Sequence, residues 1–228
     1  MDYNRFLSLS EEFSKKIEEQ HTLYLDSIIG YSILHERLLQ YQEDMKSILG
    51  DSEFATPEFQ DTCSTNYKHL SDKDFTPVSL SPLMTQGDVK ERTKNNGRNY
   101  MVLGAQCLVS MYSYWEEYLR IEIGIAKGHL PKGSKHDGKN REILNEHVKN
   151  DFWGDIRYIR NSIVHNNCVA NNEMKNCKII KWFSPGTEIR LDYEKMYVIF
   201  LQFGYYRNEL HSMSFPQREG YRIRLPCK

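Results

Sequence analysis

Arg160, Asn161 and His165 fall within one short stretch, DIRYIRNSIVHNN, residues 155–167. Asn161 and His165 are four residues apart and share a helix face, while Arg160 sits beside Asn161 on a longer, swinging side chain. The three heads can converge. Breaking an RNA phosphodiester without a metal needs a group that moves a proton on or off oxygen near neutral pH. It also needs a fixed cation to hold the crowded phosphate as charge builds. Histidine and arginine supply those two functions, and arginine grips phosphate in a bidentate way that lysine cannot. Arg157, one turn earlier, adds phosphate affinity or closes a salt bridge inside the fold.

A purely structural role asks little of the same residues. Ile156, Ile159, Ile163 and Val164 supply an apolar stripe, and Arg157, Arg160 and His165 lie in final turns where cations favour the carbonyl end of the helix dipole. Spacing does not decide the matter, because Arg141 and His147 satisfy the same pattern once the gap is loosened by one residue.

The elements around the stretch read as helices. Ser8 and Glu11 fit a capping box, so a first helix is expected from near Ser8. Its apolar stripe runs through Phe13, Ile17, Tyr24, Ile28, Tyr31, Leu34, Leu38, Tyr41, Met45 and Leu49, and Gly50 and Asp51 end it. Residues 51–97 carry Pro57, Pro77, Pro82 and Gly87 with no sustained period, and read as a long irregular connection or insertion. A second helix is expected over 100–126, with Leu103, Cys107, Met111, Tyr114 and Tyr118 on one face. Glu116 and Glu117 in its middle are expected to be solvated or paired with arginine, outside the site. Residues 127–140 read as an exposed basic loop. A third helix is expected over 141–165, interrupted at Gly154 and closed by Asn166 and Asn167, which tolerate left-handed geometry.

KIIKWF and TEIRL flank Ser184-Pro185-Gly186 and predict a small β-hairpin. Asp192 can cap a last helix over 193–211, on which Met196, Ile199, Phe200, Phe203 and Tyr206 repeat at helical spacing. Residues 212–228 form a basic C-terminal tail. The pattern predicts an all-α, up-and-down four-helix bundle with a long insertion and a hairpin before the last helix.

Composition narrows the class. The 228 residues, 39% hydrophobic and 27% charged, fit one globular domain spanning 1–228. The start, MDYNRFLSLSEE, lacks the basic and apolar regions of a secretion signal, so a cytoplasmic protein is expected. The apolar stretch at 100–112 is short of the ~20 residues a bilayer requires, so no membrane span is expected. The five cysteines are odd in number and include no CxxC pair, which predicts free thiols. Residues 1–60 hold 12 acidic and 5 basic side chains, leaving 19 of the 31 acids and 25 of the 30 bases to the remainder, so an acidic part precedes a mildly basic one. This falls short of the basic footprint of a duplex DNA binder. No HExxH or clustered ligand set accompanies His129 and His136, and no GxxxxGK[ST] or GxGxxG loop occurs. Neither a metal nor another cofactor is expected.

RNSIVH, preceded by DIRYI and followed by NN, resembles the Arg-polar-x-x-x-His motif at the end of the third helix in HEPN domains, small helical proteins common in bacterial toxin and antiphage systems. The similarity extends from YMVLGAQCLVSMYSYWEEYLR through WFSPGTEIRL to the aromatic closing helix, residues 100–211, while 51–97 has no counterpart. The resemblance implies a HEPN-like fold and a metal-independent endoribonuclease acting as a homodimer. Arg160, Asn161 and His165 of both chains would line one cleft, with Arg157 contacting RNA. It also implies a neutralising antitoxin or other regulatory partner, for which the acidic first helix offers a surface. A non-catalytic HEPN-like module, binding RNA or protein, is the competing expectation.

Overall fold

The computed structural model describes residues 1–62 and 85–215. The all-α expectation holds: helices make up most of the described residues, no strand occurs among them, and they form a helical bundle. None of these helices is long and apolar enough to cross a membrane. Contacts divide the chain into two compact units, Met1–Thr22 with Ala105–Lys228, and Leu23–Gly104. Parts of the expected irregular connection and basic tail, at 63–84 and 216–228, lie outside the described residues, as do Cys63 and Cys227.

The helix α1 (Tyr3–Leu49), which enters the first unit only as far as Thr22, begins a turn and a half before the expected start. Asp2, not Ser8, serves its first turn: the Asp2 carboxylate accepts the Arg5 amide at 3.0 Å. Ser8 is already helical, and its hydroxyl donates to Glu12 at 2.8 Å. The second predicted helix is α4 (Arg98–Tyr114) continued through a π-helical turn (Trp115–Leu119) into α5 (Arg120–Ala126). The wider turn lets Trp115, Glu116 and Leu119 all be buried.

The third predicted helix is two helices, α6 (Gly138–His147) and α7 (Asp151–His165). The break falls at 148–150 rather than at Gly154. Asn150 takes extended geometry, and its side-chain oxygen accepts the Trp153 amide, a capping arrangement that starts a new helix. The last helix, α8 (Tyr193–Ser212), is capped by Asp192 as its sequence indicates.

Aromatic packing joins these helices. Trp115 stacks on Trp153 with ring centroids 4.7 Å apart and planes 3° from parallel. Phe13, Phe203 and Tyr206 close around Trp153. Burying an aromatic side chain of this size stabilises a fold by about 2–3 kcal/mol, so this cluster sets where α7 sits.

The predicted hairpin does not form among the described residues. The backbone amides of Lys178, Ile179 and Ile180, among them those a strand partner would have needed, donate instead to the buried Asp155 carboxylate at 2.9, 2.6 and 2.7 Å. The TEIRL segment pairs elsewhere: Ala170 donates to the Thr187 carbonyl and Ile189 to that of Cys168, around one antiparallel bridge between Val169 and Glu188. Gly186, with φ of 86°, closes the preceding turn and donates to Ala170.

In the second unit, the expected irregularity at 51–97 gives way to helical pieces: a 3-10 turn (Glu53–Ala55), α2 (Pro57–Thr62) and α3 (Gln86–Thr93). Thr85 and Asp88 form a reciprocal capping box at the start of α3. Lys90 bridges Asp61 at 2.7 Å and the Gln42 side chain at 2.9 Å. The buried Tyr100 hydroxyl lies 3.0 Å from Ser32 Oγ.

Candidate functional site

The end of α7 carries the sequence-predicted residues. Arg160 and Asn161 are half-buried and His165 is exposed in the last turn. The structure brings all three together: Arg160 Nη1 donates to Asn161 Oδ1 at 3.1 Å and lies 3.1 Å from His165 Nε2. A guanidinium can only donate, so in this contact His165 accepts through a lone pair on Nε2, which leaves Nδ1 to carry the ring proton. The Arg160 guanidinium sits over the Tyr112 ring, 5.9 Å from its centroid, while its buried Nε has no hydrogen-bond partner among the described residues. Stacking and the Asn161 contact thus fix the cation beside an accessible imidazole, which is what proton transfer at a phosphate requires.

The chain beyond α7 is folded to leave that helix end open. Ser162, fully buried, donates to the Tyr158 carbonyl and accepts the Asn171 amide at 3.1 Å. Asn166 ends the helix, and Asn167 and Cys168 both take left-handed geometry, with φ of 50° and 60°. The Asn166 side chain donates to the Val169 carbonyl at 2.7 Å. The sequence points to asparagine as the turn-former, and Cys168 joins it against its own preference.

Arg157 stays apart from the trio. Its guanidinium lies over the Tyr158 ring, 5.0 Å from the centroid, in the wall of a cleft of about 350 Å³ that also receives Tyr112, Glu116 and Trp153. Glu116 is buried and bound on several sides: Arg120 Nη1 donates to it at 3.1 Å, His136 Nε2 lies at 3.3 Å, and Tyr112 donates its hydroxyl at 3.4 Å. Burial and the neighbouring Glu116 carboxylate push the Tyr112 phenol up to about 12, so it remains a donor at neutral pH. The expected pairing of a mid-helix glutamate with arginine is therefore present at Glu116. Its link to His136, from the basic loop, is not legible in the sequence, since nothing in a flexible-looking loop fixes its landing place.

Asp155 and Ser162 also escaped sequence reasoning as organisers of the site. Both are buried polar groups on the apolar face of α7. A buried carboxylate on such a stripe is the signal that could have identified Asp155, because it requires nearby donors. Among the described residues no group of three or more His, Cys, Asp or Glu side chains is placed to hold a metal ion. No family model, no curated protein and no solved structure matches the chain.

Proposed function

We propose that this protein is a metal-independent endoribonuclease, a HEPN-like up-and-down four-helix bundle that acts as a homodimer. The observation that carries the reading is the Arg160–His165 pair, 3.1 Å apart on an exposed helix end. It is supported by the resemblance of RNSIVH to the HEPN motif.

His165 takes the 2′-hydroxyl proton through Nε2, and the 2′-oxygen forms a bond to phosphorus as the bond to the 5′-oxygen breaks. Arg160 turns its donors to the non-bridging oxygens, whose growing charge it offsets. Asn161 holds the guanidinium, and Arg157 adds affinity for the flanking phosphate. The departing 5′-oxygen needs a proton from an acid, and one chain places one histidine at the motif. A second copy supplies that acid, leaving a 2′,3′-cyclic phosphate and a 5′-hydroxyl.

The requirement for two copies suits an exposed stripe on α8. Tyr197, Leu201 and Tyr205 recur at four-residue spacing and are 51%, 43% and 62% exposed. Apolar groups aligned in this way are a surface for association, and the occupant proposed is a second copy of this chain. Such an enzyme requires restraint in its own cell. A toxin–antitoxin or antiphage role follows, with an antitoxin or regulator against acidic α1 and with RNA as substrate.

A non-catalytic RNA-binding or protein-interaction module is the second reading. It is favoured by the Arg160 contacts to Asn161 and Tyr112, which lie within one chain and serve a helix end equally well. Incubating wild type and an Arg160→Ala/His165→Ala variant with total RNA and a chelator separates the two. Cleavage by the wild type alone, with unchanged circular dichroism, supports the enzyme; equal cleavage, or none by either, supports the module.

A further inference from the structure

We infer that the cleft walled by Arg157 and Tyr158 binds one nucleotide unit of an RNA strand, base and phosphate together, next to the Arg160–His165 pair. The identity of the strand rests on the ribonuclease reading; the chemistry of the cleft does not.

The charges in the cleft do not cancel. Three carboxylates and four cations line it. Glu116 is taken by Arg120, Asp151 by Lys178 at 2.6 Å, and Asp155 by the backbone amides of 178–180. Arg157 and Lys149 form no ion pair among the described residues, and the lining as a whole keeps one net positive charge, so an anion entering the cleft meets two cations free to turn to it. Arg157 is also planar and lies over Tyr158, a surface on which a nucleobase stacks.

A second observation points to a ligand independently. Trp153 lines the cleft and is 2% exposed, yet its indole Nε1–H has no hydrogen-bond partner among the described residues. Leaving a buried donor unmade costs about 1–3 kcal/mol, and a base or ribose acceptor would satisfy it once the cleft wall shifts enough to uncover the N–H. The cleft is of mixed polar and apolar lining and open to solvent, and its volume of about 350 Å³ accommodates a ligand of nucleotide size.

Tyr112 joins this cleft to the reactive pair. It lines the cleft, and the Arg160 guanidinium sits over its ring. A nucleotide held by Arg157 and Tyr158 would therefore place the next phosphate near Arg160 and give the enzyme a register along the strand.

The test follows the indole N–H signals of Trp115, Trp153 and Trp182 by NMR during titration with a 2′-O-methyl RNA hexamer, which lacks the attacking hydroxyl, and with adenosine monophosphate. Trp182, exposed and outside the cleft, is the internal control. Expected is movement of the Trp153 signal with the hexamer while Trp182 stays still, and about tenfold weaker binding for Arg157→Gln and for Tyr158→Leu, the loss associated with a stacking partner. An unmoved Trp153 signal would overturn the inference, as would movement with the mononucleotide but not the hexamer, or unweakened binding by both folded variants. Cleavage assayed in parallel keeps the two readings apart. Cleavage lost on His165→Ala without an indole shift removes the cleft and keeps the nuclease; a shift without cleavage does the reverse.

Discussion

Arg160 donates through Nη1 to Nε2 of His165 across 3.1 Å, so the imidazole at the end of α7 is held in one tautomer, with Nδ1 protonated. Free histidine prefers the other tautomer, and the guanidinium reverses that preference. Nitrogen-15 NMR of His165 in its neutral form should report protonated Nδ1 in the wild type and a return towards protonated Nε2 in Arg160→Ala. A signal indifferent to Arg160 would remove the coupling.

Asp155 is the anchor of the segment that follows α7. Its buried carboxylate accepts three consecutive backbone amides from 178–180. It also joins burial, the larger cause, in pushing the Cys177 thiol up to about 12. Replacing one oxygen by an amide that cannot accept leaves a buried donor facing donors. Asp155→Asn should destabilise the fold by about 2–4 kcal/mol in denaturant unfolding. A change within about 0.5 kcal/mol, the ordinary effect of a surface substitution, would contradict that role.

Much of this architecture was legible, and the misses share a cause. The long stripe of α1, the Asp192 cap of α8 and the convergence of Arg160, Asn161 and His165 follow from local periodicity and side-chain reach. The hairpin, the π-helical turn and the His136–Glu116 contact do not. KIIKWF has the composition of a strand, but its amides were claimed by Asp155, more than twenty positions earlier. Composition within a window cannot register a partner outside it. The break before α7 was misplaced for a different reason: Gly154 looks like a helix breaker, whereas Asn150 provides a cap.

At the start of α1, Glu12 links Arg5, Ser8 and Tyr118. Burial raises its carboxyl, but the hydrogen bonds from Tyr118, Ser8 and Arg5 outweigh that and hold it below its ordinary value of 4.5. A lowered folded value means the stabilisation is present above the unfolded value and is lost as pH falls through the folded one. Glu12→Gln should lower Tm at pH 7 by an amount equivalent to less than about 1 kcal/mol, since the group is partly solvated. The difference from wild type should shrink progressively as pH falls from 4.5 through the lowered folded value; a pH-independent difference would assign it to packing.

The α8 stripe predicts the oligomeric state. Sedimentation of the wild type should give a dimer, and Leu201→Asp, at an exposed position, should give a folded monomer that does not cleave RNA. His165→Ala should remain dimeric. A Leu201→Asp protein that stays dimeric would place the contact elsewhere.

The most direct measurement is the chemistry of the cut ends. Purified protein, RNA and excess chelator should yield 2′,3′-cyclic phosphate and 5′-hydroxyl termini, and His165→Ala, with its helical content intact, should yield none. Termini bearing 3′-hydroxyls, or the same cyclic ends from the His165→Ala protein, would contradict the assignment of His165 to the reacting phosphate.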